Sequence, residues 1–90
     1  TRQKIYVGKG IKYFSRLGVA EFEIESGELH IGDEIVITGP TTGVIIQKVE
    51  EIRYELQTVE KATKGQRISI PVKEKVRPSD KLYRFDKKEE

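Results

Sequence analysis

Apolar and polar side chains alternate along much of the chain. Over positions 4–13 the apolar residues fall at 5, 7, 11 and 13 with lysines between them, a pattern typical of a strand that buries one face. Gly8 and Gly10 interrupt this strand and indicate a bend or the close approach of another backbone. Positions 19–25 alternate in the same way with glutamates, so we expect lysines and glutamates to face each other across two neighbouring strands.

The alternation continues in short segments that are separated by Gly- and Pro-containing turns. It predicts further strands around 35–37, over 44–54, at Val59, over 68–72 and over 82–85. Within 44–54 the alternation slips in phase, and a bulge or a sharp coil near Gln47 to Glu51 would absorb the slip. Only 59–64 could form a helical turn. We therefore expect an all-β fold, a small antiparallel Greek-key-like barrel of six or seven strands, because closure removes exposed strand edges.

One turn pattern occurs three times. A small residue is followed by a polar one, and an apolar strand starts two positions later, at Gly32–Asp33, Gly65–Gln66 and Ser79–Asp80. A ligand site would rarely need three copies, whereas a repeated turn would. The small residue can adopt positive φ, and the polar side chain can accept hydrogen bonds from turn amides. The repetition favours turn chemistry over a metal or phosphate site.

Composition narrows the classes of function. Hydrophobic and charged residues each make up 36% of the 90 residues, and the net charge of +2 is too balanced to indicate a nucleic-acid partner by itself. The absence of cysteine excludes disulfide and thiolate chemistry. No apolar stretch approaches a membrane span and no signal peptide is visible, so we expect a cytoplasmic setting without a membrane partner.

The ends of the chain suggest a domain taken from a longer protein. The sequence starts at Thr1 and contains no methionine, which indicates an excised domain, and its charged end favours a C-terminal position. We expect one domain over 1–86 and a charged tail over 87–90.

Candidate contact residues fall in two segments. The first combines cations with aromatic rings at Lys9, Lys12, Tyr13, Phe14 and Arg16. Such residues can stack bases and contact phosphates, can form a docking patch for another domain, or can belong to a solvated lysine face. The second is the loop 39–43 with Thr41 and Thr42, which lacks the lysine and helix of a phosphate-binding loop. A hairpin connection is the simpler interpretation, although an exposed loop can also bind a partner.

Catalytic groups are scarce. His30 is the only histidine, so a zinc site would lack its usual nitrogen and sulfur ligands. The hydroxyl residues have no evident base. We predict no catalytic residue, no metal and no cofactor.

A family resemblance rests on several linked segments. The pattern of Gly27, Leu29, Gly32, Asp33 and Ile35, together with later Ala, Gly and Asp-x-Leu positions, resembles the second domain of translation elongation factors of the Tu type, over roughly 5–86. It departs from that pattern at Gln66, where Asp is usual, and at Ser79, where Gly is usual. A more specific likeness, to the C-terminal domain of collagenase-like peptidases and RNA-hydroxylation proteins, comes from the segments VGKGIKYFSRLGVAEF, IGDEIVITGPTTGV, VEEIRYELQTVEKATKGQR and EKVRPSDKLYRF.

The resemblance implies a β-barrel of the translation-factor second-domain type, appended to a catalytic domain that performs peptidase chemistry or prephenate-dependent hydroxylation of RNA bases. On this basis we expect a non-catalytic accessory domain that binds substrate, either polypeptide or structured RNA, or docks on the catalytic domain of the same parent chain. Two alternatives remain. One is a stand-alone translation-factor-like module that binds tRNA or the ribosome. The other is a purely structural domain for bracing or oligomerisation.

Overall fold

The computed structural model describes residues 3–86. These residues form β-strands joined by turns, and none is helical. The strands are β1 Lys4–Phe14, β2 Val19–Ile24, β3 Glu28–His30, β4 Glu34–Gly39, β5 Gly43–Lys48, β6 Ile52–Tyr54, β7 Gln57–Val59, β8 Lys61–Thr63, β9 Arg67–Pro71 and β10 Lys81–Phe85. No helix capable of crossing a membrane occurs between residues 3 and 86.

All the strand pairs are antiparallel. Eight strands form one sheet in the order β5-β4-β10-β1-β2-β9-β6-β7, and β3 pairs with β8 in a second sheet. The all-β antiparallel prediction is confirmed. The described residues form ten strands rather than six or seven, because residues 28–30 and 61–63 pair with each other as β3 and β8 and the segment predicted over 44–54 divides into β5 and β6. The helical turn considered for 59–64 is absent, since these residues hold the end of β7 and all of β8.

The sheet curls without a closed ladder of backbone hydrogen bonds, since β5 and β7 end it on either side. This corrects the expectation of closure. A side chain bridges the gap between β5 and the residues at the end of β9, which we call the seam. The Gln47 amide of β5 donates to the carbonyl of Pro71 at 2.8 Å and accepts from the backbone N–H of Lys73 at 2.9 Å. Gln47 therefore satisfies backbone groups that a further strand would otherwise pair.

The phase slip in the fourth predicted segment is a break between two strands. β5 ends at Lys48 and β6 begins at Ile52. Between them, Val49 exchanges backbone hydrogen bonds with Gly32 and Asp33, at 2.8 and 2.9 Å, and its side chain is buried. The interruption thus separates β5 from β6, while Val49 between them still places its side chain in the core.

The long first strand changes register near its glycines, where the sequence predicted a bend or the close approach of another backbone. Its register shifts between Tyr6 and Gly8 against β10 and between Gly10 and Lys12 against β2. A Cβ on Gly8 would collide with the backbone carbonyl of Glu23, so the close approach of β2 requires glycine there. The strand consequently pairs with two neighbours while Val7 stays buried in the core and Tyr13 packs against it.

The three repeated turns share one geometry, which confirms the turn interpretation. The small residue has positive φ in each: 95° at Gly32, 93° at Gly65 and 72° at Ser79. The side chain of the following residue accepts the backbone N–H three positions earlier, at 2.8 Å for Asp33, 2.9 Å for Gln66 and 2.9 Å for Asp80. Gln66 and Ser79, which depart from the elongation-factor pattern, preserve this turn.

Asp80 does more than close its own turn. Its carboxylate also accepts the hydroxyl proton of Thr42, and its backbone carbonyl accepts the N–H of Gly10 at 2.7 Å. A Cβ on Gly39 would collide with the carboxylate. Asp80 thereby ties the β4–β5 loop, through its carboxylate, and the middle of β1, through its backbone carbonyl, to the turn that precedes β10.

Candidate binding surfaces

A groove of about 630 Å³ lies between the β1–β2 turn, β9 and the β6–β7 hairpin. Its apolar lining comprises Phe14, Leu17, Val19, Leu56 and Pro71. The volume is in the range of natural ligand pockets, which are commonly 300–1,000 Å³. At the floor of the groove β6 and β9 share one bridge, between Arg53 and Ser69, and both of these residues line the groove.

Two exposed leucines flank the groove. Leu17 is 73% exposed and Leu56 is 91% exposed. Leu17 lies in a turn in which the N–H groups of residues 17 and 18 both bond to the Phe14 carbonyl, at 3.1 and 2.9 Å. Leu56 lies at the tip of the β6–β7 hairpin. Each turn therefore directs an apolar side chain into solvent at one border of the groove.

The hairpin tip has an unusual backbone. Glu55 and Leu56 have φ values of 52° and 68°, in the left-handed region that costs an L-residue roughly 1–2 kcal/mol. Two-residue hairpin turns with two positive φ angles normally use Asn or Gly. Leu56 lacks a polar side chain that could bond locally. Backbone strain combined with an exposed leucine marks the tip as a candidate contact point.

The charged lining of the groove is partly neutralised. Arg53 lies 3.9 Å from the Glu51 carboxylate, and Arg67 lies 4.0 Å from Glu23. Glu21 and Glu55 also line the groove, and neither makes an ion pair with any residue between 3 and 86. The groove therefore presents apolar surface next to two carboxylates that have no cation within 4.0 Å among the described residues. Lys12 stands opposite Glu21 in the β1–β2 ladder.

A second apolar surface crosses the outer face of β5, β4, β10 and β1. Register aligns Ile46 with Val36, Val36 with Tyr83, and Tyr83 with Tyr6. On β5, Ile46 is 46% exposed and the neighbouring Val44 is 65% exposed. This row of apolar and aromatic side chains is defined here as the outer-face row.

The tyrosine end of the outer-face row is held by polar contacts. The rings of Tyr6 and Tyr83 meet edge to face with centroids 5.7 Å apart, and the Lys4 ammonium lies 4.9 Å from the Tyr83 centroid. The Tyr6 hydroxyl donates to Glu25 at 2.5 Å. Burial and then this hydrogen bond raise the pKa of Tyr6 to about 12. The same bond, aided by Lys9, lowers the pKa of Glu25.

The five predicted contact residues of the first segment do not form one face. The Lys12 ammonium lies 5.1 Å from the Phe14 ring centroid, and Phe14 lines the groove. Tyr13 packs against the core. Lys9 forms an ion pair with Glu25 at 3.5 Å, while Arg16 is exposed in the β1–β2 turn. Strand alternation separates these side chains, and their role in binding stays a prediction.

The predicted loop residues differ from each other. Thr41 is exposed, whereas Thr42 directs its hydroxyl to Asp80. This contact gives Thr42 a structural role in the hairpin. The sequence interpretation missed Leu17 and Leu56 as contact candidates. Leu17 had a signal in its Ser- and Gly-containing turn, but the Glu55–Leu56 turn contains no residue that marks positive φ.

The single histidine is exposed at the end of β3. Its Nε2 lies 3.3 Å from Glu28 and its Nδ1 lies 4.0 Å from Asp33. Within residues 3–86, no group of three or more His, Asp or Glu side chains is arranged to hold a metal ion.

Comparison with known proteins finds relatives that are named collagenase or protease. No protein-family model matches the chain. All 90 residues align at 99% identity with part of a protein named collagenase from Porphyromonas gingivalis strain W83, and at 98% with a second P. gingivalis collagenase. Over 81 residues the chain is 35% identical to part of an uncharacterized protease of Methanocaldococcus jannaschii. The resemblance to the collagenase-like peptidase family is confirmed.

The chain spans 22%, 25% and 20% of the lengths of these three relatives. Its fold matches two crystal structures of the C-terminal domain of a Geobacillus thermoleovorans protein described as a U32 peptidase. The TM-scores are 0.81 and 0.83 at 23% and 22% identity, with 86% and 89% of this chain covered and 95% and 91% of the other chains. At this identity the structural match shows the fold alone. The likeness to elongation factors and the link to RNA hydroxylation stay predictions.

Proposed function

We propose that this chain is a non-catalytic accessory domain that docks on the rest of a collagenase-like peptidase family protein through the outer-face row. The exposure of Val44 and Ile46 on an end strand carries the proposal. Val44 and Ile46 lie two positions apart on one face of β5, whereas Val36 beside them is only 3% exposed; neighbouring exposed apolar side chains mark an interaction site more often than isolated ones do. Because the chain accounts for 25% or less of the length of its relatives, most of such a protein is available to cover it.

The outer face suits an interface within one protein. It combines aliphatic side chains on β5 with the Tyr6–Tyr83 pair, and aromatic residues are enriched in the buried parts of interfaces. Full burial of an aliphatic side chain contributes about 1.5–3 kcal/mol, so covering Val44 and Ile46 would contribute measurably. The relatives are named collagenase and protease, and we assign their reaction to regions outside this domain.

Hydrogen–deuterium exchange of the full-length P. gingivalis collagenase and of the 90-residue chain tests the proposal. We expect peptides that cover 34–48 and 81–86 to exchange more slowly in the full-length protein, because docking covers the outer face. Peptides that cover 52–59 serve as the internal control and should exchange equally in both proteins. Val44→Asp with Ile46→Asp should abolish the additional protection. Equal exchange over 34–48 in both proteins would refute docking through this face.

Structured RNA is the alternative partner that the family resemblance implied. The outer face carries Lys4 and Lys9 near the tyrosines, but Glu25 pairs with Lys9 and the Tyr6 and Tyr83 rings pack edge to face against each other. We therefore favour a protein partner. Binding of structured RNA by the 90-residue chain at 50 mM salt, with affinity that falls steeply as salt rises, would favour RNA instead.

A further inference from the structure

We infer that the groove between the β1–β2 turn, β9 and the β6–β7 hairpin binds an extended polypeptide that carries an apolar side chain next to a lysine or arginine. This site is separate from the proposed docking face. The inference depends on three independent features of the groove: its exposed leucines, the strained turn that holds one of them, and its unpaired carboxylates.

The apolar part of the site comes from two hairpins on either side of β9. Leu17 belongs to the turn after β1, and Leu56 belongs to the turn between β6 and β7. Both line the groove together with Phe14, Val19 and Pro71. A cavity of about 630 Å³ is large enough to accept side chains of a peptide between these leucines.

The strained turn argues that the position of Leu56 matters for contact. Residues 55 and 56 both have positive φ, which disfavours leucine and favours glycine. The Leu56 side chain gains little from packing within the domain, because it is 91% exposed. A leucine that destabilises its own turn without burial in the domain is explained by contact with a partner.

The charge of the groove selects the kind of partner. Glu21 and Glu55 have no ion-pair partner among the described residues, whereas the groove arginines Arg53 and Arg67 pair with acidic neighbours. A cation on the ligand would therefore find carboxylates available. A nucleic acid would bring its phosphates towards the same carboxylates, so repulsion disfavours RNA in this groove.

The probes are nine-residue Gly/Ser peptides that differ only at two central positions. One carries leucine followed by arginine, the second carries leucine followed by glutamate, and the third carries serine followed by arginine. The measurement is a chemical-shift titration of the ¹⁵N-labelled 90-residue chain. We expect the leucine–arginine peptide to shift the amides of Phe14, Leu17 and Leu56, and each of the other peptides to bind at least tenfold more weakly.

Two variants separate binding from folding. Leu56→Gly removes the apolar side chain but suits the positive φ. It should therefore keep or raise the stability of the domain while weakening the binding of the leucine–arginine peptide at least tenfold. Glu55→Gln should reduce the preference for arginine over glutamate at least threefold. Ile46→Asp, on the outer face, is the matched control and should leave peptide binding unchanged.

The inference is overturned by any of three results: no shift at 5 mM leucine–arginine peptide, equal binding of the leucine–glutamate peptide, or unchanged binding by Leu56→Gly. Shifts of the groove amides by a ten-nucleotide uridine oligomer, stronger than those by peptide, would also overturn it and would identify a nucleic-acid site. Failure of these tests leaves the outer-face docking proposal intact, because that proposal depends on β5 and is measured by hydrogen exchange.

Discussion

Three equivalent turns are each closed by one side chain. Its replacement should destabilise the domain most at Asp80, less at Asp33 and least at Gln66. Asp80 is 2% exposed and accepts hydrogen bonds from Arg77 and Thr42. Asp33 is 6% exposed and accepts the His30 N–H at 2.8 Å. Gln66, a neutral acceptor, receives one bond at 2.9 Å. The three sites share a backbone geometry, so they differ mainly in the number and charge of the bonds.

The magnitudes follow from that difference. A hydrogen bond to a charged group contributes about 1.5–3 kcal/mol and a neutral one about 0.5–1.5 kcal/mol. Replacement by alanine should therefore lower the free energy of unfolding by about 3–4 kcal/mol at Asp80, about 2 kcal/mol at Asp33 and about 1 kcal/mol at Gln66. A domain of this size has roughly 5–13 kcal/mol of stability in total, so the loss at Asp80 is a large share.

Urea unfolding followed by far-ultraviolet circular dichroism measures these losses, since the chain lacks tryptophan. With a slope of about 1 kcal/mol per molar urea, the midpoints should fall by roughly 3, 2 and 1 M. Ser15→Ala, in an exposed turn position, is the control and should change stability by less than about 0.5 kcal/mol. Equal losses at the three turns, or the largest loss at Gln66, would refute the reasoning.

Three further predictions concern single features. Ser79→Gly should raise the free energy of unfolding by about 0.5–1 kcal/mol, because the native φ of 72° favours glycine; a lowered thermal midpoint would contradict it. Gln47→Glu should lower the free energy of unfolding by about 1–3 kcal/mol in urea, because a carboxylate would face the Pro71 carbonyl where the amide now donates; unchanged stability would show that the seam is unimportant. Since the pKa of Tyr6 is raised from 10.0 to about 12, its stabilising contribution is complete below pH 10 and is lost as the pH rises towards 12. Tyr6→Phe should therefore flatten the decline of stability in that window and bring the pKa of Glu25 back towards its ordinary value in an NMR titration.

The alternation of the sequence predicted the strands because each buries one face. Positions 4–13, 19–25 and 68–72 each alternate over enough residues for a period of two to be recognised, and the structure places β1, β2 and β9 there. The repeated turns were predictable for a local reason. Their backbone angle and their closing hydrogen bond involve residues at most three positions apart.

The features that the sequence analysis missed either depend on residues far apart in the chain or use residue types that do not indicate the backbone conformation. The seam between β5 and the segment after β9 is bridged by a Gln47 side chain that reaches 24 and 26 positions along the chain, which alternation cannot encode. The β6–β7 hairpin uses Glu55 and Leu56 at positive φ, where a sequence rule expects Asn or Gly.

The candidate site was only partly predictable for the same reason. The sequence indicated Phe14, which does line the groove, but it grouped Phe14 with Tyr13, whose side chain packs against the core. Neighbours in a strand point to opposite faces. A groove wall instead combines residues such as Leu17, Leu56 and Pro71, which only the strand order brings together.

The two proposed surfaces are spatially distinct but physically connected. The outer face involves β5, one end of the sheet, and the groove involves the β6–β7 hairpin at the other end. Substitutions at Ile46 and Leu56 should thus act on one surface each. Gln47, however, belongs to β5 and bonds to the carbonyl of Pro71, which lines the groove. Since this bond connects one surface to the wall of the other, Gln47→Glu is the substitution expected to disturb both.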